Sequence, residues 1–148
     1  MSADAATNSV TLTAHSHSRS LPGITVNDSI PVVGGMEKWR SDAIQKVIGF
    51  SSLTPNWDGH GSQAPSLAVR QTALDMLLSV PGGLYPAPRI VPSSGGGYHF
   101  EWSVGDRELE ISVEPDCRVE VLRVDQGVPI EDGPYMDLRA LFNWLDPR

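Results

Sequence analysis

The chain has 148 residues, 40% hydrophobic and 20% charged, enough for one domain with one core and too few for two. No run of about 18 apolar residues occurs, which excludes an ordinary transmembrane helix, and the first twenty residues lack the basic start and the apolar stretch of about 7 to 15 residues of a secretory signal. The formal charge of -7 belongs to the second half, because residues 1–74 balance five basic against five acidic side chains while residues 75–148 hold six arginines against thirteen carboxylates. An acidic half repels phosphate, so direct nucleic-acid binding is not expected, and a basic protein partner is attracted instead. The single cysteine, Cys117, cannot form an internal bridge, and with no export signal the expected compartment is the cytoplasm.

From Met1 to about Gly35 the chain is rich in Ser, Thr, Ala, Asn and Gly, with Pro22 and Pro31 as breakers, and it reads as a mobile arm covering 1–35. A single domain is expected over 36–148. Met36, Trp39, Ala43, Ile44, Val47 and Ile48 recur at helical spacing and predict a first helix ending near Gly49. Pro55, Gly59, Gly61 and Pro65 forbid regular structure in the next segment, while Asn56 and Asp58 suit turns. Ser66 suits an N-cap for a helix through Val80. Leu67, Leu74, Leu77 and Leu78 form one stripe of it with Val69, Ala73, Met76 and Val80 beside them, a width that predicts packing on a sheet.

The following segment reads as antiparallel strands. Arg89 to Pro92, bounded by prolines, fits an edge strand. Gly95 to Gly97 make a turn, after which Tyr98, Phe100, Trp102 and Val104 alternate with His99, Glu101 and Ser103. Gly105 and Asp106 turn the chain into Leu109, Ile111 and Val113, which alternate with Glu108, Glu110 and Ser112, and Pro115 with Asp116 leads to Val119 and Val121. A last helix is expected from Pro134, with Asp132 or Gly133 as its cap and Tyr135, Leu138, Leu141, Phe142 and Leu145 on one face. The expected fold class is α+β: an antiparallel β-meander of three or four strands packed against two or three helices.

The most unusual local sequence is N-W-D-G-H-G. One reading makes Asp58 and His60 a base and its orienter. The other makes Asn56 and Asp58 turn caps, with Trp57 plugging a gap between helix and sheet. His99 and Glu101 share a strand face and His15 and His17 have the same spacing, but H-E-x-x-H, a Cys pair and a calcium-loop pattern are all missing, so no metal or cofactor is expected. Gly95 to Gly97 precede a strand rather than a helix and do not make a phosphate cradle. Cys117 lies among acids, which disfavours a reactive thiolate.

Glu101, Glu108, Glu110 and Glu120 fall on the alternation opposite to the apolar strand residues, and neighbouring strands bring them onto one open surface. That surface reads either as a solubility device or as a recognition face for a cationic partner. The loop N-W-D-G-H-G, the helix start A-P-S, P-R-I-V-P, and G-G-Y-H-F-E-W leading into R-E-L-E-I-S-V together resemble small uncharacterised bacterial proteins with a W-D-G-x-G loop and a later G-G-x-x-x-E-W strand. The resemblance covers Pro55 to Val113. It implies one compact module from the accessory genome, often of mobile elements, and carries no activity or cofactor.

The function expected is that of a small acidic protein-binding protein, not an enzyme, of the antitoxin, immunity or anti-defence inhibitor kind. Its expected contact residues are Glu101, Glu108, Glu110, Glu120, Trp57, Asp58 and His60, its partner is basic, and a homo-oligomer is compatible with the chain. An adaptor subunit pairing through its sheet edge is the alternative. A small metal-dependent hydrolase using Asp58, His60, His99 and Glu101 is a third class.

Overall fold

Trp39, Ala43 and Val47 recur every four residues, and burying that stripe defines α1 (Gly34–Gly49). A single 3-10 turn, Phe50–Ser52, ends it. The computed structural model describes residues 34–134 and 137–148, with side chains described from 38 to 130 and from 137 to 148. The arm expected over residues 1–35 therefore lies outside the described residues, except for Gly34 and Gly35, which open α1.

Ser66 is the N-cap of α2 (Leu67–Ser79), as its sequence position predicts, and its hydroxyl accepts the Val69 N–H at 3.2 Å. The far end of α2 is closed from outside. Arg40 of α1 donates through Nη1 to the Leu77 and Leu78 carbonyls at 3.2 and 3.0 Å, and through Nη2 to the Val80 carbonyl at 3.0 Å. A fixed positive fork thus meets carbonyls that the last turn of a helix leaves unpaired. Of the broad stripe expected on α2, Val69, Ala73, Met76, Leu77 and Val80 are buried, whereas Leu67 and Leu78 stay about 60% exposed. The correction has a geometric cause: at 100° per residue Leu67 and Leu78 lie on the side away from Ala73 and Met76.

The sheet is a meander of five antiparallel strands in the order β1-β2-β3-β4-β5: β1 (Arg89–Pro92), β2 (Tyr98–Val104), β3 (Arg107–Val113), β4 (Val119–Asp125) and β5 (Val128–Pro134). β1 is an edge strand, as its prolines predict. At Gly97 an added Cβ would run into the Val113 carbonyl oxygen, so only glycine lets the two strands meet there. β2 and β3 are joined by Gly105 and Asp106, with Gly105 at φ +58° in the first turn position. β5, which the sequence reading does not contain, follows a second two-residue turn in which Gln126 and Gly127 both have positive φ, the type I′ geometry that matches strand twist.

β5 runs to Pro134, so the last helix starts later than expected. α3 (Leu138–Leu145) is capped by Asp137, whose carboxylate accepts the Arg139 N–H at 2.9 Å. Asp132 and Gly133 therefore belong to a strand and not to a cap.

All three helices pack on the face of the sheet that carries Ile90, Tyr98, Phe100, Trp102, Leu109, Ile111, Val113 and Val121. Trp102 is at the centre, edge-to-face with Trp39 and Phe142 at 6.5 and 5.1 Å between ring centroids, and stacked on Phe100 at 6.1 Å. Arg107 does for α3 what Arg40 does for α2. It donates to the Trp144 carbonyl at 2.6 Å, and with Arg123 it lies over the Trp144 ring.

Candidate protein-interaction surface

Register decides what the opposite face of the sheet displays. The two-residue turn at Gly105 and Asp106 pairs Val104 with Arg107, and each further step back along β2 advances one step along β3. His99 therefore faces Ser112, Glu101 faces Glu110 and Ser103 faces Glu108. On the next ladder Glu108 faces Val124, Glu110 faces Leu122 and Ser112 faces Glu120, while Arg89 of β1 faces Glu101. Directly opposed residues share a face, so Glu101, Glu108, Glu110 and Glu120 all project from the side on which none of the described helices packs.

The face is a mosaic rather than a uniform sheet of acid. Arg89 reaches Glu101 at 3.3 Å, and His99 Nε2 lies 3.5 Å from Glu110. Arg118 reaches Glu120 at 3.3 Å, and Leu122 and Val124 place an apolar strip beside the carboxylates. Glu101 and Glu110 keep only about a quarter of their side-chain surface in water. Two carboxylates directly opposite one another oppose pairing by roughly 0.2 to 1 kcal/mol, and the flanking Arg89 and His99 offset part of that cost. Arg89, Leu122 and Val124 are missing from the residues singled out in the sequence; Ser112 follows from the alternation of β3, while the β1–β2 and β3–β4 pairings place the other three on this face.

His99 Nδ1 also stands 3.0 Å from the Ser112 hydroxyl. With Glu110 on Nε2, this is the order of hydroxyl, imidazole and carboxylate used in nucleophilic catalysis. His99 and Ser112 lie on β2 and β3 in the interior of the sheet, where the backbone N–H groups are engaged in the ladders. The trio orients side chains on an open surface.

The W-D-G-H-G loop closes on itself. Asn56 N–H donates to the Ser62 carbonyl at 2.7 Å, and the Asn56 side-chain oxygen accepts the Gly61 N–H at 2.7 Å. Asp58 accepts the Ser62 hydroxyl at 2.5 Å and the His60 N–H at 2.9 Å, and these bonds hold its carboxyl below the usual carboxylate range, the hydroxyl contributing most. Gly59 and Gly61 take φ of +75° and +83°, as a glycine-rich turn allows.

Asp58 and His60 do not form the base and orienter that one sequence reading allows. The carboxylate binds the His60 backbone, and the exposed imidazole donates from Nδ1 to the Asp58 carbonyl at 2.8 Å. Asp58 and His60 are on this loop while His99 and Glu101 are on the sheet face, and among the described residues no three His, Cys, Asp or Glu side chains are grouped to hold a metal ion. Trp57 does not plug a gap between helix and sheet either. It is half-buried outside the core cluster, with its indole N–H fixed on the Gln63 carbonyl at 3.0 Å.

This loop docks on the β1–β2 turn through the Gln63 N–H and the Ser94 carbonyl at 2.9 Å, which puts Trp57, Asp58 and His60 at one end of the sheet. A shallow open depression near Val104, Asp125 and Leu145 occupies the other end. The Arg107 side chain there is already spent on the Trp144 carbonyl and on Asp125 at 3.6 Å. A scan against protein-family models, a search of curated proteins and a search of solved structures each find no match to this chain.

Proposed function

We propose that the protein is a small acidic protein-binding protein of the antitoxin, immunity or anti-defence inhibitor kind, neutralising a basic partner by covering it with the open sheet face. The observation that carries the reading is the placement of Glu101 directly opposite Glu110, with Glu108 and Glu120 on the same face. Opposed, largely buried carboxylates weaken strand pairing and Arg89 and His99 offset only part of that cost, whereas lysine or arginine side chains from a partner would neutralise them further. Leu122 and Val124 give that contact an apolar border, and Trp57, held by its own loop at the end of the sheet, serves as a rigid aromatic anchor with Asp58 and His60 beside it.

The test is parallel affinity capture from the native host with the wild-type chain and with a variant in which Glu101, Glu108, Glu110 and Glu120 are all changed to Gln. The reading expects a basic protein that the wild type retains and the variant releases. Equal retention by both, or a partner without a basic surface, rejects it.

A further inference from the structure

The open face of the sheet carries two columns of different chemistry side by side. Glu108, Glu110 and Ser112 project from β3, and Val124, Leu122 and Glu120 of β4 stand directly opposite them. Pro129 of β5 is opposite Val124 and widens the apolar column at that end. Leu122 and Val124 are half-buried yet take no part in the core cluster, and Pro129 is exposed. The acidic column on β3 is also the one that the chain leaves unneutralised. Glu101 has Arg89 and Glu120 has Arg118, whereas among the described residues no lysine or arginine pairs with Glu108 or Glu110, and Glu110 meets only His99.

We infer that the basic partner meets this face with an amphipathic helix, laid along β3 and β4 with an apolar stripe on Leu122, Val124 and Pro129 and a lysine or arginine flank on Glu108 and Glu110. Such a helix presupposes that the face binds a basic protein, as proposed above, and it specifies the element that the partner presents. Charge complementarity places it. The unneutralised carboxylates and the apolar residues lie on neighbouring strands, so the contact is centred on β3 and β4 rather than on β2, where Arg89 already answers Glu101.

Spacing selects a helix over an extended segment. Adjacent columns are about 4.8 Å apart, and successive outward residues within a column are about 7 Å apart. Along a helix, side chains four residues apart are separated by about 6 Å, and an apolar stripe and a charged flank run next to each other, so one helix meets both columns at once. An extended strand presents a single row to the face beneath it, with every second side chain pointing away, so it fills one column and leaves the other. β3 and β4 are seven residues long, about 23 Å, which is the length of a helix of about 15 residues. The opposite face of the same sheet already packs the chain's own helices.

The probe is a synthetic peptide of about 15 residues built from leucine, alanine and lysine, with the leucines on one helical face and the lysines on its flank. Two control peptides carry the same net charge: one has the same residues reordered so that the leucines are spread around the helix, and one has a central proline that breaks the helix. Binding to the isotope-labelled full chain is followed by NMR at about 0.15 M salt. The amphipathic peptide is expected to bind with a dissociation constant on the order of 0.1 mM, as suits one helix with a contact at the low end of interface size, and at least about tenfold tighter than either control. Its largest amide shifts are expected at Glu108, Glu110, Leu122 and Val124. Leu122→Thr/Val124→Thr keeps residues that suit a strand and adds hydroxyls, and it is expected to weaken the amphipathic peptide about fivefold while leaving the reordered peptide unchanged. The shift map is made on the wild type, so it decides the location without relying on that variant. An amphipathic peptide matched by either control, shifts centred away from β3 and β4, or a folded threonine variant that binds as tightly as wild type overturns the inference. Glu108→Gln/Glu110→Gln separates the two proposals: if the helix fails but this variant weakens all three peptides, the acidic face still binds basic chains, and if it weakens none of them, both readings fall.

Discussion

Arg40→Met tests whether α2 is held at its C-terminal end by a charge from α1. Methionine keeps most of the aliphatic stem and removes the fork that donates to the Leu77, Leu78 and Val80 carbonyls. Hydrogen bonds to a charged group contribute about 1.5 to 3 kcal/mol, and a cation at a helix C-terminus adds about 0.3 to 1 kcal/mol. The contact to Leu78 is exposed, so water replaces it at little cost, and the two part-buried contacts set the total. The expected loss is about 2 to 3 kcal/mol, a fall in thermal midpoint on the order of 10 °C for a domain of this size. Urea denaturation followed by tryptophan fluorescence measures it. Lys38→Met is the control, since Lys38 and its partner Asp42 are 74% and 62% exposed and such a pair contributes at most about 0.5 kcal/mol. Arg40→Lys keeps the charge without the fork and should recover less than half of the loss. If Arg40→Met fell within about 0.5 kcal/mol of wild type, the capping argument would be wrong.

Trp57→Ala is expected to cost about 1 to 2 kcal/mol by chemical denaturation, well below the 3 to 5 kcal/mol of a core tryptophan, because Trp57 loses one hydrogen bond and no core contact. Gln126→Asn should stabilise the chain by about 0.5 kcal/mol in the same assay, because position 126 has φ +53° and asparagine tolerates that region better than glutamine. Asp58 has a folded pKa below its ordinary value, so its contribution is complete above that ordinary value, near 4, and is lost as pH falls through the lower folded pKa. Asp58→Asn should accordingly lower stability at pH 7 while flattening the decline of stability below about pH 4, as read by thermal midpoints across an acid series.

How much the sequence disclosed depended on the kind of signal. Ser66 was legible as a cap because its hydroxyl satisfies a local backbone donor, and the strands from Tyr98 to Val121 were legible because a face buried on one side imposes a strict two-residue period. β5 was hidden because its turn puts Gln126 where Asn or Gly is the usual mark, and because Pro129 and Pro134 interrupt its alternation. Helix periodicity places residues around an axis without saying which side meets the sheet, so Leu67 and Leu78 looked like core and are surface. The carboxylates of the open face followed from parity alone. His99 and Ser112 share that parity, but that His99 faces Ser112, Glu101 faces Glu110 and Arg89 faces Glu101 followed only from the register, since pairing across ladders is a tertiary property. Trp57 looked like a plug because a large aromatic in a loop is commonly buried, but its loop satisfies itself through Asn56 and Asp58 and leaves the ring at the surface.

The central claim is that the open sheet face steers a cationic partner, and the most direct measurement is the association rate of the captured partner with wild type and with Glu108→Gln/Glu110→Gln across a salt series. Charges that steer encounter act mainly on the association rate. The account predicts a several-fold slower association of the variant at low salt, converging on the wild type near 0.5 M salt, where screening reaches about 4 Å, with the fold of both chains unchanged. A variant that associates as fast as wild type at every ionic strength contradicts the account and leaves the face as a device for solubility.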